Sequence, residues 1–226
     1  VDYSNKKKII LFFKNKIKKK ELNIIDIGAH KGETIDLFLG NFNVDKIYSF
    51  EPNIALYSNL KIKKKYDNRI ELFNFGVGFK EKNEYLNIMT ESSSSTFNTL
   101  NHETNYYKKK KKIVSFFSKK KNLIEKKQKI KIINLSNLII EKNISTIDIL
   151  KIDTEGYEYN ILKGINVDHF KNIKFIYFEH HYDLMINKGY KFSEINRLLV
   201  NNNFRKKYKL KMKFRKVFEY IYENSI

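Results

Sequence analysis

Asn23-Ile24-Ile25-Asp26-Ile27-Gly28-Ala29-His30-Lys31-Gly32-Glu33-Thr34 is the stretch on which the reading of this chain turns. Ile24, Ile25 and Ile27 make a short buried-strand signal, and glycines follow at 28 and 32. Thr34, Ile35, Leu37 and Phe38 then continue as a helix. A strand, a tight glycine turn and a helix present backbone N–H groups and a helix N-terminus to a ligand. Gly28 lets the chain turn without a Cβ penalty, and Gly32 permits close approach of a ligand or strand. The spacing matches neither the dinucleotide fingerprint nor the phosphate loop, so alone it also fits an ordinary strand–helix turn. Asp26 interrupts the apolar run, and a carboxylate there must be paired or touch a ligand.

Downstream the same pattern repeats. Lys46–Phe50 reads as a second strand ending at Glu51-Pro52-Asn53, and Pro52 suits the first turn of the helix that follows to about Lys65. Arg69–Phe75 reads as a third strand, with Gly76 and Gly78 breaking the next segment, and Lys82–Ile88 as a further short strand. This βαβαβ order with short connections predicts an α/β domain, a mostly parallel sheet with helices on both faces. Thr146–Ile152 is expected as a central strand ending at Asp153-Thr154-Glu155-Gly156, and Asn172–Phe178 as another ending at Glu179-His180-His181. Residues 207–211 and 214–222 read as a terminal antiparallel pair.

The 226 residues suffice for a single domain, 1–226, with a full core. The absence of cysteine excludes disulfides, thiolate zinc sites and cysteine nucleophiles. No apolar run is long enough to span a bilayer, and the start lacks the apolar core and cleavage site of a signal peptide. Residues 1–20 instead read as a basic helical extension, and the expected location is the cytoplasm. The net charge of +20 suggests nucleic acid. Part of it follows from a Lys-, Asn- and Ile-rich composition of the kind A/T-biased coding produces.

The charge that remains informative is clustered. Residues 105–129 form a lysine-rich insertion or lid, with Lys108–Lys112 in a row and Ile113, Val114, Phe116 and Phe117 behind them. Adjacent like charges fray a helix, so only partial helicity is expected. Three readings stand: a solvated loop, a contact for an acidic substrate or anionic glycan, and a helix at the inner face of an anionic membrane.

In an open parallel sheet, ligands bind beyond the carboxyl ends of the strands. Four strand ends here carry acidic or imidazole groups: Asp26 with Gly28, then Glu51, then Asp153 with Glu155, then Glu179 with His180 and His181. A carboxylate about twenty residues after the first glycine is placed to accept both hydroxyls of a ribose. Glu51 fits, and equally suits a helix N-terminus.

Asp26-Ile27-Gly28-Ala29-His30-Lys31-Gly32, Phe50-Glu51-Pro52 and Ile149-Leu150-Lys151-Ile152-Asp153-Thr154-Glu155-Gly156-Tyr157-Glu158 together resemble the FkbM-type S-adenosylmethionine-dependent methyltransferases. The resemblance covers about residues 22–205, interrupted by the lysine-rich piece. It implies a Rossmann-like class I methyltransferase fold, a seven-stranded sheet whose last strand is antiparallel. It implies O-methyl transfer to a sugar or other small hydroxylated acceptor, glycan modification being typical.

By resemblance, Asp26, Gly28, Ala29 and Gly32 would lie under the methionine part of S-adenosylmethionine, with His30 and Thr34 near its polar end. Glu51 would hold the ribose beside Asn53, and the segment from Asn74 to Gly78 would pass the adenine. Ser94, Ser95 and Thr96 match a serine-containing segment on the substrate side, where His102 and Glu179 are also candidates. Asp153 and Glu155 match an acidic motif beside the reaction centre. An alcohol needs help losing its proton, and Asp153 is the first choice of base, His180 the second. Alternatively Asp153, Glu155 and His180 would hold Mg²⁺.

The rival classes are a nucleic-acid-binding protein or nucleic-acid methyltransferase and a NAD-linked dehydrogenase. Acidic strand ends repel phosphate, and no Asn/Asp-Pro-Pro-Tyr-type motif occurs. The Asp153-Thr154-Glu155-Gly156 block argues against the dehydrogenase. Nothing in the sequence speaks to oligomeric state.

Overall fold

The computed structural model of the chain describes residues 3–65, 67–90, 95–118, 123–213 and 215–225. The chain begins with α1 (Tyr3–Lys16), β1 (Leu22–Ile27), α2 (Glu33–Leu39), β2 (Val44–Phe50), α3 (Ile54–Lys63) and β3 (Ile70–Phe73). It continues through β4 (Gly76–Gly78), β5 (Lys82–Met89), α4 (Asn105–Ser118), β6 (Ile124–Asn134), α5 (Leu135–Glu141) and β7 (Ile147–Ile152). The last third comprises α6 (Glu158–Lys163), α7 (Val167–Phe170), β8 (Ile173–His181), α8 (Phe192–Asn201), β9 (Phe204–Lys211) and β10 (Val217–Asn224).

Seven strands form the main sheet in the order β3-β2-β1-β7-β8-β10-β9. The pairs β1–β2, β1–β7, β2–β3 and β7–β8 are parallel, and β10 is antiparallel to both β8 and β9. This is the expected mostly parallel sheet with an antiparallel last strand. The order of β1 reverses between β2 and β7, which opens a crevice at the carboxyl ends of the strands.

Strand alternation divides the core into two layers. Ile25, Ile27, Leu150, Ile152, Ile176 and Phe178 face α5, α6 and α8, whose Leu138, Ile161 and Leu199 complete that layer. Ile24, Ile149, Phe175 and Tyr177 face α1, α2 and α3 through Phe13, Phe38 and Leu60. Asp26 and Lys151 lie two residues beyond Ile24 and Ile149, and Glu179 two beyond Tyr177. The same period therefore turns all three to the α1 side.

A second sheet, β4-β6-β5, stands beside the first. The sequence reading missed β4, because glycines at 76 and 78 read as a break. They serve instead as clearance: a Cβ on Gly76 would lie 2.8 Å from Phe97, and one on Gly78 2.9 Å from Ile132. The lysine-rich stretch also yields more structure than expected. Residues 105–118 are helical, and β6 begins at Ile124, inside the stretch read as an insertion, because β5 offers a continuous antiparallel partner as far as Met89↔Ile124. The lysines at 119–121 lie outside the described residues. The third main-sheet strand is Ile70–Phe73, shorter than expected, and the terminal pair begins earlier, directly after α8.

Candidate active site

A cavity of about 670 Å³ opens at the carboxyl ends of β1, β2, β7 and β8. Its floor is the turn after β1. Gly28 has φ +87°, and its N–H and that of Ala29 both donate to Phe50 O at 3.0 Å. A Cβ on Gly28 would lie 1.9 Å from Asp153 O, so only glycine lets β1 and β7 close here. His30, φ +51°, is one of two non-glycine residues at the cavity held in the left-handed region; Glu155, φ +50°, is the other. Such strain persists where surrounding contacts over-determine the backbone, and it concentrates at functional sites.

Glu51 is buried at the end of β2 and joins two segments. Its carboxylate accepts the N–H of His30 at 2.7 Å and that of Asn53 at 2.8 Å. Burial pushes its pKa up to about 7, against the lowering effect of those two donors and of Lys151. Asn53 acts as the cap of α3, its Oδ1 accepting from Ala55 N at 3.0 Å. Asn74 turns to the same corner, donating to Glu51 O at 2.8 Å and Pro52 O at 3.0 Å.

At the end of β7, Asp153 is 29% exposed. Burial alone would raise its pKa, but the ammonium groups of Lys151 and Lys6 and the His181 ring hold it below the usual carboxylate range. Glu155 is raised by burial and lies 3.3 Å from His181 Nε2. Burial would lower the His181 pKa, yet Glu155 and Asp183 beside it lift it to about 10. Thr96 Oγ1 donates to Glu155 O at 2.8 Å, and Asn98 Nδ2 to Gly156 O at 2.7 Å, which docks the segment after the serine run onto the acidic loop.

Gly28, Ala29, His30, Thr34, Glu51, Ser95, Asp153, Glu155 and Glu179 all line the cavity. Asp26, Gly32, Asn53 and Asn74 do not; they lie beneath or behind it as supports. Asp26 is fully buried, 3.1 Å from Lys151 Nζ, with Ser49 Oγ donating to it at 3.1 Å. Gly32 starts α2 with φ +89°. His180 does not line the cavity. Alternation turns it to the α8 side, among Tyr182, Tyr190 and Phe192, where burial depresses its pKa to about 3. His102 lies on the surface against Tyr107. Ser94 falls outside the described residues. Among those residues no three His, Cys, Asp or Glu side chains converge as metal ligands, so the Mg²⁺ alternative finds no donor set.

Phe75, Gly76 and Val77, from the segment expected to pass the adenine, also line the cavity, and part of the remaining wall, Lys151 included, comes from residues that sequence reasoning passed over. Lys6 enters from α1, and Met212, Lys213 and Arg215 enter from the β9–β10 connection. Lys6 Nζ donates to Tyr177 Oη at 2.9 Å and to Glu219 Oε1 at 3.2 Å, fastening α1 across the sheet. Glu179 lies between Asp153 and Glu219, and burial with the Asp153 charge pushes its pKa to about 8. Among the described residues no helix is long and apolar enough to cross a membrane.

The geometry can be set beside known proteins. A FkbM methyltransferase from Methylobacillus flagellatus KT superposes with a TM-score of 0.56 at 12% identity, covering 94% of this chain and 46% of that one. This chain thus spans less than half the length of that protein. Magnesium protoporphyrin IX methyltransferase from Synechocystis PCC 6803, solved with bound S-adenosylhomocysteine, gives 0.53 at 9% identity over 98% of this chain and 83% of the other. An rRNA methylase from Streptococcus thermophilus gives 0.51 at 10% identity over 94% and 92%. At these identities the likeness is one of fold. A search of curated proteins returned no match. The family described as "Methyltransferase FkbM domain" matches residues 26–206, most of the length, and the chain belongs to that family.

Proposed function

We propose that the protein is an S-adenosylmethionine-dependent O-methyltransferase acting on a hydroxyl of a saccharide or other small acceptor. The observation that carries the reading is the convergence of the Gly28 turn, Glu51 and Asp153 on one cavity at the switch point of the sheet. The donor would supply an electrophilic methyl group and a sulfonium charge. Gly28 clears the approach to the floor, and Glu51 offers a carboxylate at the position suited to a ribose diol. His30 and Thr34 border the same side.

On the acceptor side, Asp153 is a carboxylate held ionised by neighbouring cations, with the serine segment and Glu179 around it. It would accept or orient the hydroxyl proton, and alignment of the two reactants would supply much of the remaining rate. The saccharide preference rests on the family resemblance. Nucleic-acid methylation is the second reading, favoured by the fold likeness to an rRNA methylase and the +20 charge. The exposed Ile113 and Phe116 of α4, beside Lys108–Lys112, support peripheral contact with an anionic membrane surface.

The test joins calorimetric titration with S-adenosylhomocysteine to labelled methyl transfer over saccharide, small-hydroxyl and RNA acceptors. Asp153→Asn should keep binding within a few-fold and lose transfer by about 10²–10⁴-fold. An unchanged rate would remove Asp153 from the chemistry, and lost binding would reassign it to the cofactor.

A further inference from the structure

We propose that Lys151 is the positioning residue that fixes the cofactor turn against the acceptor-side carboxylate, an inference that rests on the methyltransferase reading above. Lys151 interrupts the apolar end of β7 and is 3% exposed. It stands opposite Asp26 in the β1–β7 register. Its ammonium lies 3.1 Å from Asp26 Oδ1 and 3.5 Å from Asp153 Oδ2, and donates to Gly28 O at 2.9 Å. One group thus touches the strand under the turn, the turn itself and the carboxylate that faces the cavity.

Packing does not require a lysine there. Removing an ammonium from water costs several kcal/mol, and an apolar side chain of similar length often does as well or better in such a site. What an apolar chain lacks is the donor to Gly28 O and the charge beside Asp153. Both matter to the site. The Gly28 turn closes to contact with Asp153, whose N–H donates to Ile27 O at 2.9 Å, so movement of either segment displaces the other. The cation also holds Asp153 ionised where it lines the cavity. Lys151 itself borders the cavity, and its ammonium is turned to Asp26, Gly28 O and Asp153, so it acts through those groups.

The experiment separates positioning from simple stability. Lys151→Met leaves Asp26 buried without its cation, so a lowered melting temperature is expected. The double variant Asp26→Asn/Lys151→Met removes both charges and should recover most of that loss. S-adenosylhomocysteine affinity, measured by calorimetry on folded protein, should fall about tenfold or more in both, because the Gly28 carbonyl still lacks its donor. Recovery of affinity to within about twofold in the double variant would make Lys151 a partner of Asp26 only and overturn the proposal. Should Lys151→Met fail to fold, the double variant decides alone. If the unaltered protein binds S-adenosylhomocysteine while the double variant binds it equally well, only this inference fails. If the unaltered protein binds none, the methyltransferase reading fails with it.

Discussion

Glu51 Oε2 accepts the backbone N–H of His30 at 2.7 Å, tying the end of β2 to the turn after β1. Its other oxygen holds Asn53 N, so the carboxylate is already oriented before any ligand arrives. Burial raises its pKa to about 7. A ribose diol is accepted by the ionised form, so S-adenosylhomocysteine affinity should weaken as pH falls from 8 to 6. Glu51→Gln should bind about tenfold or more weakly at pH 8 and show a flatter profile, a charge-assisted hydrogen bond being worth roughly 1.5–3 kcal/mol. Calorimetry at several pH values checks both, and an unaltered profile in Glu51→Gln would refute the assignment.

Gly28 and Gly189 both have positive φ but differ in surroundings. A Cβ on Gly28 meets Asp153 O at 1.9 Å, whereas one on Gly189 meets nothing within 4 Å. Gly189→Ala should therefore show backbone strain alone, on the order of 1 kcal/mol. Gly28→Ala adds a backbone collision and should cost at least about 2 kcal/mol, a fall of about 5 °C or more in Tm for a chain of this size. Equal melting shifts would mean that β1 and β7 can separate freely at this point.

The strand-end groups of the cavity were readable because each carries a local signature. Gly28 follows an isoleucine run, Glu51 precedes the Pro52 turn, and Asp153 closes a strand and opens a glycine turn. The rest of the lining lacked such signals. Lys6 and Arg215 are more than two hundred residues apart, and 45 basic residues conceal which few face inward. His180 and Glu179 differ by one position on a strand buried on both faces, so an uninterrupted apolar run gave no register to choose between them. β4 is three residues long with glycine at both ends, too short for any period to show. Lys151 carried a signal of the same kind as Asp26, a charge inside an apolar strand, and the two explain one another.

Glu179 offers a pH test independent of any ligand. Its pKa is raised by burial, then by the Asp153 charge, to about 8. A carboxyl raised in the folded state binds more protons folded than unfolded between its unfolded value and that pKa. Its contribution to stability is complete below the ordinary carboxylate range and is lost as pH rises through about 8. Glu179→Gln keeps a neutral amide throughout. Relative to the unaltered protein, it should gain Tm from pH 5 to about pH 8 and level off above that. A constant difference across that range would show that Glu179 is ionised in the folded protein.

α4 carries apolar residues on two sides. Tyr107 is buried against Met89, Leu100, Leu123, Met185 and Ile186, with Val114 beside it. Ile113 and Phe116 point the other way, 60% and 81% exposed, next to lysines that are largely solvated. Anionic headgroups suit the charges, and the acyl boundary suits the two apolar side chains, a pairing of the sort that sustains peripheral binding. Vesicles containing phosphatidylglycerol should therefore co-sediment the protein, and purely zwitterionic vesicles should not. Ile113→Ser/Phe116→Ser should reduce that binding several-fold without lowering Tm, since neither side chain is buried. Deleting the whole lysine-rich stretch is a poorer test, because it removes the start of β6 and its pairing with β5. Binding that depends on phosphatidylglycerol yet ignores the double serine variant would reduce the surface to charge attraction alone and dismiss α4 as an inserted face.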